Sequence, residues 1–513
     1  MKADKDLYRE LRALSADRLW AEEVPRFDNA SPAERNKRVA LIRAIGVVMA
    51  ASGTRGQKVA ARAWLGSLLK DPSEKIRRYA MAALPKIGVG ETGERELLAL
   101  LKPETGEREK KFLGRALEKI GGSATLEAVA KMPGLDAHSE QKVRAAVARG
   151  ESPGSVRLDT ALSDLRGVRI HLRCRKGLEA LVRDEAKAAI AKHGKFRLLE
   201  FRGRCVALAP TAPFKLADLY SLRCFATLGF GLGVARARDA CASADEIARI
   251  IASPMAQKVF NAFSDGSTRY RLEYVGKGHQ RGAIRDIAAR AFSLNPQILN
   301  DPKQAPWSID LHATSHGISV ELRPKLSPDP RLFYRKDDVW AASHPPLAAC
   351  MARLAGPMKD DIIWDPFCGS GLELIECALL GGVKCVYGTD IDAKALDIAR
   401  ANFEEAKISN VQARFICSDF RNYRNIEALE KNSATLVITN PPMGRRIRVP
   451  NLHKLIEDLF SAAATVLKPG GRLVFPNPVP VEPKGRLLKL EFSQAVDLGG
   501  FECRLEKYAK QAI

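Results

Sequence analysis

The chain has 513 residues and a formal net charge of +22, with 82 Lys and Arg against 60 Asp and Glu. Its hydrophobic content of 46% excludes a largely disordered protein, and a chain this long exceeds one ordinary core, so about two to four domains are expected. The charge indicates a polyanionic partner, most often nucleic acid, although a basic surface that only maintains solubility also explains it.

The cysteines and the lack of long apolar runs indicate in which cellular compartment the protein is expected. The 10 cysteines form no Cys-x-x-Cys pair, and Cys205, Cys385 and Cys417 lie in apolar runs, where cysteine behaves as a small buried hydrophobe. We therefore expect reduced thiols, no metal site and a cytoplasmic location. The first residues lack the apolar segment of a signal peptide, and no run of about eighteen apolar residues predicts a membrane helix, so no membrane partner is expected.

Residues 1 to about 150 have a helical pattern with an internal repeat. The run Ala83–Gly88 (ALPKIG) recurs 33 residues later as Ala116–Gly121 (ALEKIG), and a looser copy ends at Gly46. Because one helical hairpin cannot bury its apolar face alone, repeated hairpins stack into a solenoid. The pattern resembles HEAT repeats, which implies a docking arm for RNA or protein, but a plain helical cap on the next domain explains it equally. Six cations predict a basic ridge or a solvated charged face: Lys75, Arg77, Arg78, Arg108, Lys110 and Lys111.

A stretch with the composition of a linker, residues 149–155, precedes a mixed region from about 165 to 325. Its periodicity predicts strands at 168–172, 270–274 and twice within 196–208, helices at 177–185, 216–228 and 284–292, and a hairpin over 309–322. This order resembles the ferredoxin-like and THUMP region that precedes the catalytic domain of certain RNA methyltransferases. The best matches are the helix that starts at Gly177 and the helix around Leu219–Phe225.

The THUMP-like resemblance implies that residues 165–325 bind RNA. Support from the residues is a set of cations near Tyr270 and Tyr274, because cations bind phosphates and aromatic rings stack on bases: Arg269, Arg271, Lys277, Arg281 and Arg285. A half-buried strand with polar outer positions explains any one of them as well.

The strongest chemical signal starts at residue 362. The apolar run Ile362–Trp364 predicts a buried strand, the glycines of Asp365–Gly371 (DPFCGSG) predict a tight turn that lets the backbone approach a ligand, and Leu372–Leu380 predicts a helix. A second strand, Lys384–Gly388, leads to Asp390, a carboxylate about twenty residues after the turn, where it can accept the hydroxyls of a ribose.

Two further predicted strands also end in polar residues. Arg414–Cys417 precedes Asp419, and Thr435–Thr439 runs into Asn440-Pro441-Pro442-Met443. In an open α/β sheet such strand ends converge on one crevice, where ligands bind. The four strand ends therefore predict a single site.

Together these motifs resemble the S-adenosylmethionine-dependent methyltransferases with a Rossmann-like fold, and Asn-Pro-Pro marks the subgroup that methylates amino nitrogens. The resemblance implies a seven-stranded sheet with one antiparallel strand near the C-terminus, closed by a hairpin of 487–492 with 503–506. The fold class is thus α/β: a Rossmann-like methyltransferase domain (330–513), preceded by an α+β THUMP-like domain (165–325) and an all-α HEAT-like region (1–150).

The resemblance also implies roles for individual residues. S-adenosylmethionine is expected to contact Asp365, Phe367, Gly369, Gly371, Asp390, Ile391, Asp419 and Asn440. The catalytic loop is Asn440, Pro441, Pro442 and Met443, in which the carbonyls of the Asn440 side chain and the Pro441 backbone accept the amine hydrogens and align the nitrogen for in-line displacement.

One residue of this loop departs from the family pattern. Met443 stands where the family usually has an aromatic residue, and a thioether is a weaker platform for a base than a ring.

Three arginines follow the loop, and they either suit phosphates that flank the target base or are surface charge: Arg445, Arg446 and Arg448. His344, before two prolines, is expected to begin a helix rather than to act as a base.

The sequence therefore predicts an RNA methyltransferase that acts on the exocyclic amino group of guanosine in tRNA or rRNA. Two alternatives stay open at this point. One is an amino-methyltransferase whose acceptor is adenine or a protein glutamine. The other, suggested by Met443, is a non-catalytic RNA-binding protein with a decayed methyltransferase site.

Overall fold

A computed structural model of the chain describes residues 2–88, 91–100, 105–120, 122, 124–127, 137–151, 154–199, 203–236, 240–276, 280–340, 342–445 and 449–512. The chain packs into two compact units, Met1–Val156 with Leu232–Leu322 and Arg157–Gly231 with Arg323–Ile513. The chain passes from one unit to the other after residues 156, 231 and 322. The first and last of these positions lie near predicted domain boundaries. Residue 231 falls inside the predicted 165–325 segment, whose residues are thus divided between the units.

The N-terminal part of the first unit is helical, as predicted, throughout its described elements. Its helices are Lys2–Ala13, Ala16–Arg18, the π-helical turn Leu19–Glu23, Val24–Asp28, Pro32–Lys37, Ala40–Ser52, Arg55–Leu68, Glu74–Ile87, Glu91–Leu98, Glu107–Ile120 and Ala137–Glu151. Local sequence sets several starts, since Ser31 and Thr54 form capping boxes with Glu34 and Gln57. The last helix continues to Glu151, so the predicted linker does not begin at residue 149.

Successive repeats pack in a regular way. Ala40–Ser52, Glu74–Ile87, Glu107–Ile120 and Ala137–Glu151 each contact the next, and Arg55–Leu68 packs against the first two. The apolar face of this layer is fully buried, with Leu41, Ile45, Leu84, Leu113 and Leu117 at its centre. Burial of a shared face explains why the repeat pattern was readable from sequence.

Residues 154–156 and 232–322 complete the first unit. The strands are Ser155–Val156, Ser264–Asp265, Arg269–Tyr274, Leu299–Asn300, Trp307–Thr314 and Gly317–Pro324, and the helices are Ala240–Ile251, Pro254–Phe263 and Arg281–Leu294. Arg269–Tyr274 runs parallel to both neighbouring strands, and Trp307–Thr314 neighbours Gly317–Pro324, as the predicted hairpin requires.

Part of the RNA-contact hypothesis for this region is wrong. Arg269 is fully buried and its guanidinium lies 2.8 Å from the buried Asp301 carboxylate, which also binds Arg149 at 2.7 Å. Tyr270 is fully buried too, so neither side chain is available to RNA. The reason is that the strand is not at the edge of its sheet, because it has a parallel neighbour on each side. Lys277 lies outside the described residues.

The first segment of the second unit is an antiparallel arrangement. Its strands are Ala161–Leu162, Ile170–Arg173, Phe196–Leu198, Cys205–Pro210, Phe214–Lys215 and Thr227–Ala235, the last of which leads into the first unit, and its helices are Glu179–His193 and Leu216–Tyr220. The predicted helix over 216–228 is wrong beyond Tyr220. The Glu185 carboxylate accepts hydrogen bonds from the backbone N–H groups of Arg223 and Cys224 at 3.0 and 2.8 Å, which takes the place of continued helical bonding.

The second segment of this unit is a seven-stranded sheet, as predicted. In spatial order its strands are Gln412–Cys417, Cys385–Asp390, Ile362–Asp365, Ala434–Ile438, Leu467–Asn477, Glu502–Lys510 and Leu488–Asp497. The first five are parallel, and Glu502–Lys510 is antiparallel to its two neighbours, so the predicted closing hairpin is confirmed.

The elements around this sheet complete the domain. They are the helices Pro345–Ala355, Leu372–Leu380, Ala393–Glu405 and Leu452–Val466, and the short 3₁₀ helices Pro330–Leu332, Phe420–Asn425 and Glu427–Leu429. Parallel order places the carboxyl ends of the first four strands along one edge, which positions the candidate site. Across the parts of the chain that the structure describes, no helix has both the length and the apolarity needed to cross a membrane.

Candidate active site

The predicted strand ends meet at one cavity of about 1050 Å³. Most of the predicted site residues line it: Phe367, Gly369, Asp390, Ile391, Asp419, Asn440, Pro441, Pro442, Met443 and Arg445. Asp365 and Gly371 do not line the cavity; they support the turn that does. Arg446 and Arg448 lie outside the described residues.

The glycine turn and Asp390 are joined directly. The backbone N–H of Gly369, where φ is +47°, donates to Asp390 Oδ2 at 3.0 Å, and the N–H of Asp392 donates to Asp390 Oδ1 at 3.0 Å. Gly371 has φ of +81° just before the helix Leu372–Leu380, a conformation that favours glycine. Each Asp390 oxygen keeps lone-pair capacity, so the fixed carboxylate can still accept two hydroxyl groups.

Ile391 and Asp419 lie beside Asp390 on the cavity wall. Ile391 is 77% exposed, an uncovered apolar surface that a flat ring could cover. Asp419 accepts from the backbone N–H and the guanidinium of Arg421, at 2.9 and 3.0 Å. The sequence did not indicate this ion pair. Phe420, behind it, is buried with its ring 4.7 Å from that of Phe367.

Asp365 is fully buried at the end of its strand. Its Oδ1 accepts from the Phe367 N–H at 3.0 Å and from the Thr439 hydroxyl at 2.5 Å, while its Oδ2 has no hydrogen-bond partner within the described part of the chain. Burial, and next the nearby charge of Glu373, raise the pKa of Asp365 well above its usual value. A buried carboxylate with a free oxygen is a site where a cationic group or a hydrogen-bond donor is stabilised.

Asn440 is held by a hydrogen-bond chain that the sequence did not reveal. Its Nδ2 donates to Ser343 Oγ at 2.7 Å, and Ser343 Oγ donates to Glu373 Oε1 at 2.5 Å. Because the serine has one proton and gives it to the carboxylate, it must accept from the amide, and this fixes which end of Asn440 faces Ser343. Asn440 Oδ1 is left buried without a partner among the described residues.

Glu373 is the residue that sequence reasoning missed most clearly. It is 2% exposed on the apolar helix Leu372–Leu380, and it lines the cavity together with Ser343. Burial raises the pKa of Glu373 to about 6, although the Ser343 hydrogen bond opposes the shift. A signal was present, because a carboxylate two residues after the glycine turn, in a helix that is apolar apart from Glu373 and Glu376, must find a polar partner.

The other residues of the predicted catalytic loop also line the cavity. Pro441 is buried, Pro442 and Met443 are half-buried, and Arg445 is exposed with its guanidinium 5.0 Å from the centre of the Phe501 ring. His344 precedes the helix Pro345–Ala355, which confirms its predicted position. Burial, followed by repulsion from Arg175, lowers the pKa of His344 to about 4, so the ring is neutral near pH 7.

Comparison with known sequences adds a family. Residues 333–478 match the model of UPF0020, described as the RMKL-like methyltransferase domain. The chain is 32% identical over 146 residues to the tRNA (guanine(10)-N2)-dimethyltransferase of Methanocaldococcus jannaschii, covering 27% of this chain and 38% of that protein. It is also 32% identical over 163 residues to the protein of that name from Methanothermobacter thermautotrophicus, covering 31% and 45%.

A shorter relative is covered more fully. The chain is 32% identical over 133 residues to a protein from Methanothermococcus thermolithotrophicus named probable tRNA (guanine(10)-N2)-dimethyltransferase, covering 25% of this chain and 77% of that protein. The chain thus spans less than half the length of the first two relatives. Among solved structures, TrmN from Thermus thermophilus is 20% identical with a TM-score of 0.53, covering 67% of this chain and 99% of that one, which shows a shared fold.

Proposed function

The chain belongs to the family of methyltransferases that carry the RMKL-like UPF0020 domain, and we propose that it methylates the exocyclic N2 amino group of guanosine in tRNA or rRNA. The observation that carries this proposal is the state of Asn440. Its amide nitrogen is fixed by Ser343, its buried carbonyl oxygen has no partner among the described residues, and Asn440 lines the same cavity as Gly369 and Asp390.

The cavity has the groups that S-adenosylmethionine requires. Asp390 would accept the ribose hydroxyls, Ile391 would pack on the adenine, and Asp419 would lie at the edge of the ring. Gly369 would let the backbone approach the methionine portion, and the buried Asp365 would support the turn that carries Gly369. S-adenosylmethionine supplies a methyl group on a sulfonium, which is already a strong electrophile.

The protein's own part in the transfer is alignment of the acceptor. Asn440 Oδ1 and the Pro441 carbonyl accept the two amine hydrogens, so the nitrogen lone pair points along the line of displacement. Two consecutive prolines restrict the backbone of this loop. Ser343 and Glu373 are positioning residues, since they keep the Asn440 nitrogen turned away from the acceptor. His344, neutral near pH 7 and beside the loop, has no required proton transfer in this scheme.

The acceptor enters on the side of Met443 and Arg445. Met443 packs against the base through its thioether, and Arg445 meets a flanking phosphate. The complete Asn440–Ser343–Glu373 chain supports an active enzyme over a decayed site, because an unused site gives no reason to keep a buried carboxylate for orienting one amide.

The remaining parts of the chain are assigned to RNA delivery. Residues 1–150 form a HEAT-like repeat region, supported by the regular packing of consecutive hairpins, and residues 165–325 supply a THUMP-like RNA-binding region. The methyltransferase domain spans residues 330–513. RNA is the partner, consistent with the +22 charge, and the cytoplasm is the proposed location.

The test is methyl transfer by the full-length protein. Purified protein, S-adenosylmethionine and separate tRNA and rRNA pools are incubated, and the nucleosides are analysed by mass spectrometry. N2-methylguanosine or its dimethyl form is expected with wild type and with Asn425→Ala, which removes an exposed amide outside the cavity. A protein that binds the cofactor but modifies neither pool contradicts the proposal, and methylated adenosine assigns a different acceptor.

A further inference from the structure

A second surface with its own chemistry lies on the helical repeats of the first unit. A groove of about 360 Å³ is lined by Arg43, Tyr79, Ala83, Lys86, Phe112, Arg115, Ala116 and Lys119, together with Met81 and Ala82. We call it the repeat groove. Its described lining residues include four cations and no carboxylate.

The 33-residue repeat generates this groove. Four lining positions on the helix Glu74–Ile87 recur on the helix Glu107–Ile120, each 33 residues later: Tyr79 and Phe112, Ala82 and Arg115, Ala83 and Ala116, Lys86 and Lys119. The spacing within each helix is i, i+3, i+4 and i+7, which is one helical face. Two adjacent repeats thus present the same face, with an aromatic residue at one end and a lysine at the other.

Small residues bring the helices together at the base of the groove. A Cβ at Gly46 would lie 2.9 Å from Ala83 Cβ, so the helix Ala40–Ser52 approaches Glu74–Ile87 closely. This approach brings Arg43 beside the two lysines, and its guanidinium lies 4.3 Å from the centre of the Tyr8 ring. The cations therefore converge because of the packing, not because of a run of charge in the sequence.

The positive charge of the repeat groove is uncompensated. None of Arg43, Lys86, Arg115 and Lys119 has a carboxylate within ion-pair distance in the described part of the chain, whereas Arg77 on the neighbouring face lies 2.5 Å from Glu109. Lys86 reaches solvent, yet desolvation and then repulsion from Lys119, Arg43 and Arg12 lower the pKa of its ammonium group. Like charges held together without counter-charges favour an anionic ligand with several charges.

We propose that the repeat groove binds the phosphodiester backbone of RNA, as a contact surface additional to the methyl-transfer cavity. Lysines repeated along two helices suit successive phosphates, and the half-buried rings of Tyr79 and Phe112 offer apolar edges beside them. An acidic polypeptide would use the lysines but gain less from the rings. The choice of RNA over other polyanions rests on the proposed function; the existence of an anion site does not.

The predicted basic ridge is a natural control for this inference. Arg108 and Lys111 are exposed on the helix Glu107–Ile120 and do not line the groove. Lys86→Gln with Lys119→Gln and Arg108→Gln with Lys111→Gln each remove two positive charges. A third variant, Lys86→Arg with Lys119→Arg, keeps the charge and controls for folding.

The measurement is fluorescence anisotropy of labelled bulk tRNA with the full-length protein over a salt series. We expect the groove glutamine pair to lose about 10-fold in affinity near 0.1 M salt and to lower the salt slope by about 1 to 2, because two phosphate contacts disappear. The ridge pair should change affinity by about 2-fold or less, on the scale of general charge loss, and the arginine pair should bind as wild type does.

If the groove and ridge glutamine variants lose the same affinity for tRNA, the inference is overturned, since net charge alone then explains binding. It is also overturned if the groove arginine variant loses as much affinity as the groove glutamine variant. If poly-glutamate binds more tightly than tRNA and depends on the same lysines, the partner is an acidic protein and the RNA assignment is wrong. A wild type that binds no RNA at all contradicts both the inference and the proposed function, whereas RNA binding that does not depend on the groove lysines contradicts the inference alone.

Discussion

The candidate active-site cavity and the repeat groove are built by different means. The cavity combines residues distant in sequence, and hydrogen bonds hold several of them in place, among them Ser343, Asp390 and Asn440. It also includes the buried carboxylate of Glu373 and Gly369, whose φ is positive. The repeat groove uses one helical face twice and fixes its cations through small residues that let helices approach. A site for displacement chemistry depends on atomic position, whereas a site for a polyanion depends mostly on charge. Single substitutions should therefore have large effects in the cavity and modest, salt-dependent effects in the groove.

The largest effect is expected at Asn440. Asn440→Ala removes the carbonyl that orients the amine, so turnover should fall by at least ~100-fold, the scale of losing one well-placed polar group at a reacting centre. Cofactor affinity should barely change, since the acceptor is the group that Asn440 contacts. Single-turnover kinetics and calorimetry with S-adenosylhomocysteine measure the two quantities. A turnover loss no larger than that of Asn425→Ala would mean that the cavity does not depend on position as proposed.

Asp390 should show the next largest effect, on binding rather than on chemistry. Asp390→Ala removes a carboxylate that would accept hydrogen bonds from two hydroxyls and that accepts one from the Gly369 N–H. Cofactor affinity should fall by about 10- to 100-fold, since a hydrogen bond to a charged group contributes ~1.5–3 kcal/mol. Calorimetry compares it with Asp397→Ala, an exposed aspartate of the neighbouring helix. Equal affinities for the two variants would show that the ribose contact is misassigned.

The Asn440–Ser343–Glu373 chain predicts a pH effect of about 10-fold, smaller than loss of Asn440 itself because the amide remains present. Burial raises the pKa of Glu373 to about 6. Above that pH the carboxylate accepts the Ser343 proton and Asn440 is oriented. As pH falls through about 6, Glu373 gains a proton and donates it, Ser343 can donate to Asn440, and the amide can turn.

Turnover of the wild type should therefore decrease as pH is lowered from 7.5 to 5.5. Glu373→Gln cannot titrate, and its amide NH2 can donate to Ser343 as the protonated carboxyl does, so its turnover should be flat across this range and close to the low-pH level of wild type. Glu404→Gln, an exposed matched change, should keep the wild-type profile. An acid limb that persists in Glu373→Gln would assign the titration to another group.

Much of the methyltransferase domain could be predicted because its signals are local. Ile362–Trp364, the glycine turn and Asp390 each follow from short apolar runs and from residues with special backbone freedom, and parallel order then places the strand ends together. Glu373 could not be placed in the site, since its partners depend on how the loop at Ser343 packs against the helix Leu372–Leu380. The contacts of Arg446 and Arg448 with phosphates stay predictions.

The middle of the chain was less predictable for a related reason. The helix predicted over 216–228 ends at Tyr220 because a carboxylate from Glu185, distant in sequence, bonds the next free N–H groups. Arg269 has the pattern of a surface cation, yet Asp301 pairs with it in the core. Long-range pairing of charges leaves no periodic signal, so burial of Arg269 could not be inferred from residues around it.

The smallest expected effect, at Met443, bears most directly on how exacting the cavity is. Met443 lines the cavity and is half-buried, where the family usually has an aromatic residue. A ring stacks on a base more strongly than a thioether, by ~0.5–1.5 kcal/mol, so Met443→Tyr should raise acceptor binding by about 2- to 10-fold if the ring fits. The gain should appear in KM for guanosine-containing RNA and leave cofactor affinity unchanged, because the base rather than the cofactor is what residue 443 meets. Met358→Tyr, an exposed change elsewhere, should alter neither. A Met443→Tyr variant that loses activity would show instead that the smaller side chain is required, and that the acceptor lies closer to this loop than a stacked guanine allows.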